Sequence, residues 1–151
     1  MNRIDQGKHI LKMIEDYHPD AEVAEEWLNE IDARFWCFLG VQGFDENRFR
    51  FDLTFDRMKN DKGDGYYYCN GRNNRKRAPK YTRCLTSCKA VMPEGWCVVD
   101  CYNNCIHKSW TIALWNPHNN KKVMAHELPT MELAWLHAIT QAYIWEIENG
   151  G

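Results

Sequence analysis

The sequence lacks any run of about 18 apolar residues, the length that a membrane-spanning helix requires, so we expect no membrane partner. The seven cysteines are an odd number, so they cannot all pair with one another. The first six residues include an acidic one, which is not typical of a secretory signal. Disulfide frameworks belong to oxidising compartments. We therefore expect mostly reduced thiols and a cytoplasmic location.

Catalytic motifs are also missing from the sequence. It contains no glycine-rich phosphate loop, no Ser-His-Asp signature and no pair of carboxylates on one predicted helix face. We therefore favour a protein that is not an enzyme and expect no cofactor. An enzyme based on Cys and His stays an alternative, because residues far apart in a sequence can be adjacent in a fold.

What the sequence does contain indicates a globular domain. Apolar residues make up 44% of the chain and aromatic residues 13%, which is more than disordered chains carry. A chain of 151 residues is also long enough to bury a core. We predict one domain over residues 1–151, with a mobile basic loop at about 70–80.

The hydrophobic periodicity predicts an α+β fold. Apolar residues recur every three or four positions, as in helices, over residues 4–17, 20–39, 82–92 and 129–148. Residues 48–56 alternate like a half-buried strand, and residues 66–69 are a candidate antiparallel partner beyond a turn. Residues 96–101, 110–115 and 122–125 have the composition of three further strands. These elements predict a small antiparallel sheet, a hairpin plus a three-strand meander, sandwiched with about four helices.

The charge of the chain is unevenly distributed. Residues 65–94 hold seven basic residues and one acidic residue, whereas the whole chain has a formal net charge of −2. A basic segment with nearby tyrosines can contact phosphates and bases, or dock on an acidic protein. Its candidate partner-binding residues are Arg72, Arg75, Lys76, Arg77, Lys80, Arg83, Tyr67 and Tyr81.

Cysteine and histidine offer a further chemical alternative. Cys97, Cys101 and Cys105 are followed by His107, and zinc accepts both residue types. In an extended strand, however, Cys97 and Cys101 would point to the same face about 13 Å apart, too far for a zinc knuckle. We therefore predict no metal site, with these four residues as the candidates if one exists.

Residues 79–96 resemble part of the phage α-β-α (ABA) sandwich proteins. That family has a Pro-x-Tyr-Thr helix closing in Val-Pro-Glu-Gly-Trp, and here Pro79, Tyr81 and Thr82 precede Pro93-Glu94-Gly95-Trp96. The stretch from Ile31 to Gly40 and the helix after Leu128 are also similar. Together these pieces cover roughly half of the chain.

The chain departs from the family pattern at several places. The predicted strand at residues 48–56 and the basic loop after it make this segment longer than the compact connection expected in the family. Cys84 and Cys88 stand where the family tends to have Ser and Ala, which suggests small space-filling thiols.

The resemblance implies a small phage or prophage accessory protein in the host cytoplasm. We expect a non-catalytic, stoichiometric binder of a host protein, for example an inhibitor of a defence system. Nucleic acid or nucleotide is an alternative partner through the basic loop. Two further hypotheses are the Cys/His enzyme, dependent on a metal or a thiol, and a sponge that sequesters a small nucleotide signal among the aromatic side chains.

Overall fold

The computed structural model describes residues 2–39, 58–59, 65–66 and 78–150. The described helices are α1 (Arg3–Glu15), α2 (Ala24–Leu39), α3 (Leu85–Ala90) and α4 (Met131–Glu148). The strands are β1 (Met58–Lys59), β2 (Gly65–Tyr66), β3 (Cys97–Asn104), β4 (Ser109–Asn116) and β5 (Lys121–Leu128). This arrangement confirms the predicted α+β fold with four helices and a three-strand antiparallel meander.

The three-strand sheet has the order β3-β4-β5, so β4 is central and the other two strands form its edges. Helix α4 packs on β4 and β5 on one side and on α1 on the other, while α2 packs on α1 and α3 on α4. Helix α4 therefore packs on two sides, which agrees with apolar residues on more than one of its faces. Within the described residues, no helix is long and apolar enough to cross a membrane.

The core lies around α4. Its largest fully buried side chains include Phe35, Phe38, Ile10, Ile14, Ile31, Ile112, Leu114, Leu133, Leu136 and Ile139. Gly7 allows α1 to approach α4 closely, because a Cβ at that position would lie 2.7 Å from Ile144 Cγ1.

Several predicted boundaries are wrong by a few residues. Helix α2 begins at Ala24 rather than Asp20, because residues 18–23 form turns in which Ala21 N donates to His18 O. Helix α4 begins at Met131 rather than Pro129, because Thr130 is its N-cap and accepts a hydrogen bond from Leu133 N. Helix α3 covers only Leu85–Ala90 of the predicted 82–92.

The predicted first hairpin is only partly described. Met58 pairs with Tyr66 and Lys59 with Gly65 in antiparallel register, so residues 58 and 59 are strand where a turn was predicted. The predicted strand at 48–56 and the basic loop at 70–77 lie outside the described residues.

Candidate interaction surface

The edge strand β3 is the most exposed regular element of the sheet. Six of its eight residues are exposed and the other two are half-buried. Of the four large hydrophobic side chains exposed in the described part of the chain, three lie on β3 or in the turn after it: Val99 at 43%, Tyr102 at 52% and Ile106 at 88%. We call residues 97–104 the hairpin edge and residues 105–108 the hairpin tip. Exposed apolar groups gathered on one element are typical of an interaction surface.

The hairpin tip is an ordered turn. Asn104 Oδ1 accepts hydrogen bonds from Ile106 N at 3.1 Å and from His107 N at 3.3 Å. Lys108 closes the turn with a φ of 50°, and Asn104 then pairs with Ser109. Ile106 is therefore presented to solvent on a turn whose backbone is already held in place, which lowers the entropic cost of burying it against a partner.

A β-bulge in β3 decides which face of the sheet each side chain occupies. Cys97 pairs with Trp115 and Cys101 with Ile112, with the register shift falling between Val98 and Asp100. Paired residues in antiparallel strands share a face, and neighbours along a strand alternate. Cys97 and Cys101 consequently lie on opposite faces. The prediction that they point the same way is wrong, because the extra residue of the bulge inverts the alternation.

The cysteines of the hairpin do not form a metal centre with the other described residues. Cys97, Cys101 and Cys105 are exposed and free, and His107 is exposed as well. Cys97 Sγ donates to Trp115 O at 3.5 Å. Among the described residues, no three His, Cys, Asp or Glu side chains come close enough together to hold a metal ion.

The structure describes only the last part of the basic segment. Tyr67, Arg72, Arg75, Lys76 and Arg77 lie outside the described residues, and Lys80 is exposed. Tyr81, in contrast, is only 3% exposed, and its ring packs edge-on against Phe35 with 4.9 Å between centroids. The expectation that Tyr81 offers an accessible ring to a partner is therefore corrected: its ring belongs to the core.

Arg83, the last candidate of the basic segment, is held by helix α2. Its Nη2 lies 3.0 Å from Asp32 Oδ2 and also donates to Asn29 Oδ1. Asp32 Oδ1 accepts from Thr82 N at 2.8 Å. Since Thr82 and Arg83 are engaged by α2 in this way, α3 starts later than its apolar pattern predicted.

Asp32 is a buried carboxylate with an altered acidity. Burial raises its pKa to about 6, although the hydrogen bond from Thr82 N and the guanidinium of Arg83 act in the opposite direction. The sequence predicts no such role for Asp32, because its partners are about fifty positions away along the chain. Its oxygens are engaged by the protein itself, so its described role is to attach residues 82 and 83 to α2.

A buried thiol and a half-buried histidine are two further ionisable groups. Cys88 Sγ donates to Tyr81 O at 2.7 Å, and burial raises the pKa of its thiol to about 12. His137 on α4 accepts from Gln141 Nε2 at Nδ1, 2.8 Å away, if the ring is neutral. Burial, followed by the proximity of His126, lowers the pKa of His137 to about 4, so this histidine is neutral at pH 7. The buried Cys88 side chain, for its part, is a space-filling thiol, as predicted.

The hairpin surface was missed by the sequence reasoning. A usable signal was present, since Ile106 lies in the mostly polar segment between the predicted strands at residues 96–101 and 110–115. An apolar residue in an otherwise polar turn is either buried by another element or exposed for a partner.

No family model, curated protein or solved structure matches this chain.

Proposed function

We propose that this chain is a small phage-encoded accessory protein that binds a host protein stoichiometrically, without catalysis, and so inhibits a host component such as a defence system. The observation that carries the binding proposal is the hairpin tip, where Ile106 is 88% exposed on an ordered turn. An isoleucine held in that position adds apolar contact area at little conformational cost.

The surroundings of the buried ionisable groups favour binding over catalysis. Asp32 accepts hydrogen bonds from Thr82 and Arg83, and the Cys88 thiol donates to a backbone carbonyl. A nucleophile or general base must reach a substrate, whereas these groups are buried and engaged in the packing of α2, α3 and α4.

The basic segment is a second proposed contact. Lys80 is exposed where the described chain resumes, and Arg83 is anchored to α2 by Asp32. A basic stretch leaving such an anchor can recognise an acidic patch on a protein and speed association with it. The apolar tip and the basic segment would then act as an anchor and a steering element respectively.

The proposal is tested by capture from host cells followed by reconstitution. The tagged chain, an Ile106→Asp variant and a variant with Arg75, Lys76 and Arg77 changed to Glu are expressed, and co-purifying proteins are identified by mass spectrometry. Val23→Asp is the matched control, because Val23 is an exposed apolar residue far from the hairpin in sequence. The captured protein is then purified and titrated with each variant by calorimetry.

We expect one host protein bound at a fixed ratio, with affinity reduced at least about tenfold by Ile106→Asp and unchanged by Val23→Asp. The charge-reversed variant should mainly slow association and make it less sensitive to salt. Equal affinity of the Ile106→Asp variant and the parent would contradict the role of the tip. The absence of any stoichiometric protein would contradict the proposed function itself.

A further inference from the structure

The outer edge of β3 has no strand partner among the described residues, since the sheet order is β3-β4-β5. Exposed edges template the addition of another strand, and proteins usually block them with charges, prolines, β-bulges or a covering element. The hairpin edge carries one charged side chain, Asp100, whose carboxylate lies 3.8 Å from Lys122 Nζ. The edge therefore carries one charge and one bulge as protection, next to the exposed side chains of Val99 and Tyr102.

The bulge leaves β3 with an odd number of pairing positions. β3 has eight residues, but Val99 and Asp100 together oppose Ala113 alone, so the strand has one pairing position fewer than its residue count. In order, the positions are Cys97, Val98, the Val99/Asp100 bulge, Cys101, Tyr102, Asn103 and Asn104. Cys101 occupies the middle position, with three positions on either side.

We propose that the hairpin edge pairs with the hairpin edge of a second copy of this chain, antiparallel and about a two-fold axis beside Cys101. The two sheets then join into one continuous sheet. Cys101 lies opposite Cys101 of the second copy, and the Val99/Asp100 bulge lies opposite Tyr102. This proposal is independent of the proposed function, since it uses the edge strand and not the tip.

The faces of the sheet restrict the register to pairings that keep opposed side chains on the same face. Asp100 and Tyr102 lie on the face away from α4, as the pairing of Asp100 with Ala113 and of Tyr102 with Thr111 implies. Antiparallel neighbours must share a face, and a slip of one residue would oppose side chains from different faces. Centring the axis on Cys101 satisfies this condition along the whole strand, because Val98 then meets Asn103 and Cys97 meets Asn104.

The pairing is also complementary in charge and polarity. The Tyr102 hydroxyl can donate to the Asp100 carboxylate of the second copy, and the aromatic ring can cover Val99. Both contacts occur twice because of the two-fold axis. The two Asp100 carboxylates do not face each other, and like charges directly opposite would disfavour pairing. A second copy therefore places a hydrogen-bond donor opposite Asp100 and an aromatic ring opposite the bulge.

The first experiment measures the mass of the full chain by sedimentation equilibrium, in reducing buffer, from about 1 to 300 µM. We expect a concentration-dependent monomer–dimer equilibrium. Tyr102→Asp places a carboxylate opposite Asp100 of the second copy, so its dimer dissociation constant should rise at least about tenfold. In the Asp100→Lys/Tyr102→Asp double variant, made in a Lys122→Gln background so that the new lysine meets no like charge in its own chain, opposite charges face each other and dimerisation should return.

This charge exchange distinguishes the proposed register from general stickiness or misfolding. Recovery in the double variant requires a folded strand and a direct contact between positions 100 and 102 of two copies. Val23→Asp is the control, because it removes an exposed apolar side chain elsewhere. A monomer at every concentration would overturn the proposal, as would a dimer that tolerates Tyr102→Asp or a double variant that stays monomeric.

The second experiment uses the exposed cysteines as reporters. Directly opposed residues of antiparallel strands have Cα atoms about 4.5–5.5 Å apart, within the range of a disulfide. Diamide, an azo compound, accepts two electrons and two protons from a pair of thiols and is reduced to the hydrazine, while the S–S bond forms. We expect a covalent dimer that Cys101→Ser abolishes and the Cys97→Ser/Cys105→Ser variant retains. The reverse pattern would overturn the register.

Discussion

The two edges of the three-strand sheet differ in what covers them. On β5, Val123, Ala125 and Leu128 are buried in the core cluster under α4, and Gln141 Nε2 donates to Met124 O at 2.8 Å. On β3, six of eight residues are exposed, and α4 packs on β4 and β5. The difference shows that α4 lies towards the β5 side of the sheet.

The composition of each strand matches its surroundings. The residues of β3 on the α4-facing side of the sheet are Val98, Cys101 and Asn103, as their pairing with Leu114, Ile112 and Trp110 shows. Only one of the three is a strongly apolar residue. Because the α4-facing side of β3 offers little apolar surface to bury, covering that side with a helix of the same chain would add little stability.

The largest expected effect comes from truncating a core residue of β5. Leu128→Ala removes a side chain buried in the core cluster and should lower the free energy of unfolding by about 2–4 kcal/mol. Val99→Ala on β3 should change it by about 0.5 kcal/mol or less, since Val99 is 43% exposed. Urea denaturation at low micromolar concentration measures both. Similar losses at the two positions would contradict the contrast between the edges.

The second prediction concerns acid and the β5 side of the sheet. His137 lies under this side, near His126 of β5 and 3.8 Å from Glu15 of α1. Its pKa is about 4 when folded and 6.5 in the unfolded reference, so between these values the unfolded chain binds a proton that the folded chain does not. Its contribution to stability should therefore decline as pH falls from 6.5 to 4, by on the order of 3 kcal/mol.

His137→Asn isolates this contribution, because an Asn side chain offers an acceptor to Gln141 and cannot be protonated in this range. The parent-minus-variant difference in the free energy of unfolding should shrink steadily from pH 7 to pH 4. A difference that is constant with pH would refute the assignment. The difference between parent and variant also cancels the effect of Asp32, which is present in both. The raised pKa of Asp32 stabilises the folded state as pH falls towards 4.

The smallest expected effects compare two polar links. Gln141→Ala leaves Met124 O without its side-chain donor and should cost about 1–2 kcal/mol. Lys122→Gln removes the exposed contact with Asp100 at 3.8 Å and should cost about 0.5 kcal/mol or less. Thermal unfolding of dilute protein measures both. If Lys122→Gln were the more damaging change, the hairpin edge would be held more firmly than its exposure implies.

Local patterns predicted most of the fold. The three- and four-residue spacing of apolar groups predicted α2 and α4, and the composition of residues 110–115 predicted β4 within one residue at each end. These signals depend on near neighbours in the sequence. The bulge at Val99 was not predicted, because two consecutive valines extend a strand equally well with or without it.

Features set by distant residues could not be predicted. Tyr81 follows a run of basic residues, which favours an accessible ring, but contact with Phe35 places it in the core. The early residues of the predicted third helix bind Asp32 instead. The exposure of the hairpin edge likewise depends on where α4 crosses the sheet, which no local pattern specifies.

Amide hydrogen exchange at two protein concentrations tests the central claim, that the hairpin edge is the interface, most directly. In dilute protein, the outward-facing amides of β3 should exchange fast, while the amides of β3 and β5 that donate to β4 are protected. At about 300 µM, protection of β3 should rise in the parent chain and not in Tyr102→Asp, with β5 unchanged in both. Exchange in β3 that is independent of concentration would contradict the account.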